Sequence, residues 1–117
     1  MAAGKSTRMK SRLPKAVHRM CGRPMARHII ESCREAGVER IVVVIGHEAD
    51  AVREALGSDV EYAVQTEQLG TGHAVRSAGH LLADHEGALA VLPADTPLLR
   101  PESLAAIMQR CFQNGAA

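Results

Sequence analysis

The stretch RIVVVI at residues 40–45 is a short, continuous apolar run dominated by β-branched side chains. That is the pattern of a strand covered on both faces, as in a parallel sheet. On its N-terminal side, Pro24 can open a helix and Gly37 can close it. Between them Met25, Ile29, Cys33 and Ala36 recur at helical spacing, with Ile30 beside them. On its C-terminal side, residues 48–56 carry Ala51, Val52, Ala55 and Leu56 along one helical face, with Gly57 as a stop. VEYAVQ (60–65) predicts the next strand, and TEQLGTG (66–72) a loop. A helix bearing Ala74, Val75, Ala78, Leu81 and Leu82 comes next. ALAVL (88–92) predicts a third strand, ended by Pro93. A last helix starts near Pro101, with Leu104, Ile107, Met108 and Cys111 on its inner face. Strands alternating with helices predict an α/β fold with a doubly wound, mostly parallel sheet. Ligands in such folds bind at the carboxyl ends of the strands.

At 117 residues the chain is at most one domain. Hydrophobic residues make up 46% and aromatic residues only 2%, so the core is built from Ala, Val, Leu, Ile and Met. The formal net charge of +1 argues for neither a nucleic-acid nor a membrane partner. The distribution says more. Residues 1–40 hold ten Lys/Arg against three acids, a net of +7, and residues 41–117 hold four against ten, a net of −6. A concentrated positive segment suits a compact anion such as a nucleoside triphosphate, and equally suits a solvated basic surface. Cys21, Cys33 and Cys111 are odd in number and make no C-x-x-C pair, and no signal or membrane-spanning run is present. Reduced thiols and a cytoplasmic location are the expectation. The six histidines form no zinc pattern.

Gly4-Lys5-Ser6 matches the right end of the P-loop, G-x-x-x-x-G-K-[ST]. In a P-loop the Ser/Thr opens a helix whose N-terminus holds phosphate. Here Pro14 arrives eight residues after Ser6, and Leu13-Pro14-Lys15 predicts extended chain instead. The whole stretch AAGKSTRMKSRLPKAVH resembles the signature loop of sugar-1-phosphate nucleotidyltransferases, G-x-G-T-R-M…L-P-K, with Ser6 where the signature often has Gly. QTEQLGTGHAV (65–75) looks like the base-recognition loop of the bacterial bifunctional N-acetylglucosamine-1-phosphate uridyltransferases/glucosamine-1-phosphate acetyltransferases. LPADTPLL (92–99) resembles that family's strand-end metal motif, with Pro93-Ala94 in place of the usual x-Gly. HRMCGRPM (18–25) and VVVIGHEADAV (42–52) extend the likeness over nearly the whole chain.

The resemblance implies a Rossmann-like nucleotidyltransferase that moves UMP from UTP to N-acetylglucosamine-1-phosphate, giving UDP-N-acetylglucosamine and pyrophosphate. It implies that Ala2, Ala3 and Gly4 admit the nucleotide against bare backbone, and that Lys5 and Arg8 neutralise the triphosphate. Lys15 steadies the α-phosphoryl group. Gln65 pairs with the uracil edge, helped by Gly70 and Thr71, and Asp95 holds Mg²⁺. Arg8 and Lys15 are the catalytic candidates. The full-length proteins of this family form homo-oligomers.

Against that pattern residues 1–117 read as a partial MobA-like NTP transferase domain, truncated at both ends. The expectation is that a first strand precedes Met1, and that the C-terminal half with its sugar site lies beyond Ala117. No acetyltransferase repeats are present, and weak or no turnover is expected from these residues alone. Two alternatives stay open at this level. One is a related enzyme using another NTP or sugar phosphate; the other is a nucleotide-binding module without catalysis.

Overall fold

The computed structural model describes residues 1–4 and 13–115. Lys5 and Arg8 therefore lie outside the described residues. Pro14 is extended (φ −56°, ψ 142°), as its sequence context predicts, and leads into a single 3₁₀ turn over Lys15–Val17. A small antiparallel hairpin that the periodicity did not foresee comes next: β1 (Arg19–Met20) and β2 (Arg23–Pro24). Its two turn residues, Cys21 and Gly22, have φ of 50° and 80°, the left-handed pair that a tight two-residue hairpin needs.

Helix α1 (Met25–Glu35) begins at once and is closed by Gly37 at φ 87°. β3 (Val42–Ile45), α2 (Ala49–Leu56) and β4 (Glu61–Val64) form a strand–helix–strand unit. The two strands are parallel, in register from Val42 opposite Glu61 to Ile45 opposite Val64. The other elements are α3 (Thr71–Ser77), α4 (Gly79–Leu82) and α5 (Pro101–Asn114).

The sheet is wider than this pair. Ala2 N–H donates to Val44 O at 2.7 Å, the Met1 nitrogen donates to Leu92 O at 2.8 Å, and Ala94 N–H donates to Met1 O at 3.0 Å. Residues 1–3 thus run between β3 and the segment around Leu92–Ala94. The order across the sheet is β4, β3, residues 1–3, then residues 92–94, the 3-2-1-4 arrangement of the doubly wound fold. The first three residues occupy the centre of the sheet.

Alternation along the strands sends side chains to two cores. Ala2, Val43 and Ile45 face α1 and α2, packing with Ala26, Ile30, Val52 and Leu56. Ala3, Val44 and Ala63 face the other way, against Ala74 and Ala78 of the α3–α4 layer. Helices on both faces explain why β3 shows no polar alternation. A third cluster joins Ile29 and Cys33 of α1 to Leu104 of α5. The edge of α1 is fastened by charge. Asp59 accepts both Arg27 guanidinium nitrogens at 2.7 and 2.9 Å and is 2.6 Å from Arg34, which holds its carboxyl far below the usual carboxylate range. Arg40 grips Glu61 in the same two-pronged way, at 2.6 and 2.9 Å.

Three expectations need correction. Residues 88–92 form no regular strand, and Leu89 and Val91 are about half exposed. The register places Pro93 beside Met1, and among the described residues no backbone hydrogen bond pairs 88–91 with another strand. The single helix expected over residues 74–82 is two, because Ala78 N–H turns to Val75 O in a tighter turn and Gly79 is a poor interior helix residue. Ile107 is 65% exposed. The i, i+4 pair Leu104 and Met108 makes the contact with α1, leaving Ile107 on the flank.

Ile45 is fully buried at the carboxyl end of β3. Ile45→Ala is expected to cost about 2–5 kcal/mol, read as a lower denaturant midpoint with an unchanged m-value.

Candidate functional site

The carboxyl ends of β4, β3 and residues 1–3 converge, and the residue just past each strand end is small or polar. After β3 comes Gly46. A Cβ there would stand 3.1 Å from Ala3 Cβ, 3.1 Å from Gln65 O and 3.2 Å from Ala3 O. Two of those atoms are backbone, so only glycine lets the three strand ends approach this closely. After β4 comes Gln65, whose N–H donates to Ile45 O at 2.7 Å and whose side chain is almost wholly buried.

Burial of a carboxamide requires partners. Gln65 Nε2 donates to Gly70 O at 3.3 Å and lies 3.0 Å from His73 Nδ1. Gly70, at φ 92°, makes the turn into α3 that brings its carbonyl back toward Gln65. Between them, Gln68 reaches away and donates from Nε2 to Ala3 O at 2.6 Å, across 65 positions of sequence. The loop after β4 is thereby tied to the end of the central strand.

Together these groups enclose an open cavity of about 300 Å³, lined by Ala3, Gly4, Gln65, Gln68, Gly70 and Thr71 among others. It is large enough for a nucleobase with part of its sugar. Its wall is mostly backbone and small side chains, which suits a flat ring.

A second feature stands past the last sheet segment. Ala94 is paired to Met1, and the next residue, Asp95, meets Lys15: Nζ is 2.6 Å from Oδ2. Both side chains are nearly half exposed. The hydrogen bond from Lys15 holds the Asp95 carboxyl below its ordinary value, with burial opposing, so the group is an anion at neutral pH. An exposed pair of this kind contributes about 0–1 kcal/mol, so it is easily exchanged for other partners.

The structure brings Ala3, Gly4, Gln65, Gly70 and Thr71 to one cavity, and Lys15 to Asp95. Ala2 departs from expectation. Its side chain points into the α1–α2 core instead. Gln68, Gly46 and the Gln65–His73 contact were not apparent in the sequence. Gln68 and His73 stood inside the quoted loop, but nothing in one dimension shows that Gln68 crosses to Ala3. Among the described residues no cluster of three or more His, Cys, Asp or Glu is arranged to hold a metal. Among them, too, no helix is long and apolar enough to cross a membrane.

Comparison with known proteins identifies a family. Residues 1–117 match the MobA-like NTP transferase domain. The chain is 48% identical over 116 residues to the bifunctional protein GlmU of Exiguobacterium sibiricum, covering 99% of this chain and 26% of that protein. It is 46% identical over 116 residues to the bifunctional protein GlmU of Bacillus cereus (strain AH187), and equally to that of Bacillus thuringiensis (strain Al Hakam), covering 99% of this chain and 25% of each. The chain spans about a quarter of the length of the curated relatives it matches.

Gly46→Ala is expected to push Ala3 and Gln65 apart. The expected outcome is a loss of thermal stability together with a weakened nucleotide-dependent shift in melting temperature, both read in one set of melts.

Proposed function

Because the chain belongs to the MobA-like NTP transferase domain family, we propose that it is the nucleotide-handling part of a sugar-1-phosphate nucleotidyltransferase. The reaction is transfer of UMP from UTP to N-acetylglucosamine-1-phosphate, with UDP-N-acetylglucosamine and pyrophosphate as products. The observation that carries this reading is that the carboxyl edge of one sheet bears both a base-sized cavity walled by Ala3, Gly4 and Gln65 and, just past the neighbouring 92–94 segment, the Lys15–Asp95 pair. An enzyme of this kind works in the cytoplasm on precursors of peptidoglycan and lipopolysaccharide.

In this reading an oxygen of the sugar phosphate attacks the α-phosphorus of UTP. The new P–O bond forms as the bond to the bridging oxygen of the β-phosphoryl group breaks, and pyrophosphate leaves in line. No protein nucleophile takes part, so the chain contributes position and charge. The Gln65 carboxamide and the Gly70–Thr71 backbone orient the base. Gly4, without a side chain, leaves room beside the ribose. The Lys15 ammonium exchanges the Asp95 carboxylate for an α-phosphoryl oxygen at small cost, since exposed pairs are weak. Lys5 and Arg8 neutralise the outer phosphates.

Mg²⁺ is the expected metal, and the donor chemistry fits it. Asp95 offers one ionised, accessible hard-oxygen ligand, and Mg²⁺ is commonly held by one or two carboxylates plus substrate phosphates. Asp95 would hold the ion, which when bound supplies charge neutralisation on the phosphates.

Two experiments test the reading. In thermal melts with Mg²⁺, UTP at 100 times its dissociation constant should stabilise the chain by about 2.7 kcal/mol. That is a rise on the order of 10 °C for a domain of this size. CTP at equal concentration should give a smaller rise, and equal shifts, or none, would overturn the assignment. In the full-length protein, Asp95→Asn and Lys15→Ala should each lower pyrophosphate release by about 10²–10³-fold, while Ser32→Ala, remote from the cavity, leaves the rate near wild type.

A further inference from the structure

The hydrogen bonds around Gln65 carry more than burial. A carboxamide has a donor end and an acceptor end, and which end faces the ligand decides what it recognises. Gly70 O can only accept, so the nitrogen end of Gln65 must face it, as the 3.3 Å Nε2 contact has it. The second hydrogen of the same nitrogen points to His73 Nδ1 at 3.0 Å. Nδ1 must then be the acceptor, which puts the ring proton of neutral His73 on Nε2. Both amide hydrogens are used. Oε1 accepts from none of the described residues, and Gln65 lines the cavity.

We propose that His73 is a positioning residue for base selection: by accepting from Gln65 Nε2 it locks the carboxamide with its oxygen available to the ligand. The inference rests on the reading of the cavity as a nucleotide site and deepens it. A fixed acceptor favours a pyrimidine whose edge presents a ring N–H, which uracil and thymine have at N3. Cytosine presents a bare N3 lone pair there and meets Oε1 acceptor to acceptor. Gly70 O alone is a weak lock, because it already accepts Ala74 N–H at 3.1 Å as the first carbonyl of α3. Without His73 the amide gains freedom to turn its nitrogen toward the ligand, and the preference for a ring N–H falls. His73 Nδ1 also has no other partner among the described residues, and the ring is placed by its backbone, whose carbonyl accepts the Ser77 hydroxyl at 2.9 Å.

The test compares dissociation constants of UTP, CTP and dTTP, with Mg²⁺, for the wild-type chain, His73→Leu and His73→Asn. His73→Leu removes the acceptor; His73→Asn returns one, since its side-chain oxygen can occupy the place of Nδ1. The expected result is a fall in the UTP-over-CTP preference of about tenfold in His73→Leu. The preference recovers in His73→Asn, and the UTP-over-dTTP ratio is unchanged throughout, because those two bases share the N3–H edge. A purely structural role would weaken all three nucleotides together. Wild-type preference for UTP retained in a folded His73→Leu overturns this inference alone. Absence of any UTP preference in the wild type overturns the nucleotide-site reading and this inference with it. If His73→Leu does not fold, nitrogen-15 NMR of the wild-type imidazole decides: a protonated Nδ1 on the neutral ring overturns the proposal, and a bare Nδ1 coupled to the Gln65 amide protons upholds it.

Discussion

Everything in this fold leans on three backbone hydrogen bonds made by its first two residues. Ala2 to Val44, Met1 to Leu92 and Ala94 to Met1 insert the start of the chain into the middle of the sheet. Backbone groups in a buried sheet must find partners, and here three residues satisfy the inner edge of β3 on one side and the 92–94 segment on the other. Without them β4 and β3 would be an isolated parallel pair, a weak unit on its own. Asp95 would have nothing to carry it across from β3. The site inherits this dependence, because Ala3 and Gly4 form one wall of the cavity and Gln68 is fastened to that wall.

The same economy governs the polar groups. Gln65 is buried and meets its requirement through Gly70 and His73, so it is rigid; Lys15 and Asp95 are open to water and only loosely bound, so they are exchangeable. The transfer reaction proposed above needs both behaviours. Recognition of a base profits from groups that hold still, whereas phosphates must be met by charges that can change partners as bonds shift.

The α/β class was readable from RIVVVI and its flanking helical spacings, since a strand buried on both faces leaves an unmistakable run. The loop 65–72 stood out in the sequence because Gln65, Glu67 and His73 arrive together with Gly70 and Gly72, which turn chemistry alone would explain. Other features were not readable, for physical reasons. Residues 1–3 are too few to show any period, and their place in the sheet comes from pairing with Val44 on one side and with Leu92 and Ala94, far along the chain, on the other. ALAVL has strand composition, yet strand character needs a neighbour along its length, and among the described residues only its end, Leu92, finds one. Ala2 resembles Ala3 in sequence, but successive side chains of an extended chain face opposite sides of a sheet, so Ala2 enters the α1–α2 core while Ala3 enters the α3–α4 core and borders the cavity. Gln68 and Gly46 matter through contacts that only the assembled strand ends create.

The lopsided charge of the sequence takes on a different meaning in three dimensions. Four of the described cations in the first forty residues are paired across the halves: Arg27 and Arg34 meet Asp59, Arg40 meets Glu61 and Lys15 meets Asp95, each acid coming from residues 41–117. The imbalance between the halves is thus an instruction for assembly. In the unfolded chain a segment of net +7 and one of net −6 attract each other and repel themselves. Early collapse is therefore biased toward contacts across the halves, the same contacts that bring Lys15 to Asp95, 80 residues apart. Added salt, by screening that attraction, would slow the encounter of the halves more than it weakens the packed product.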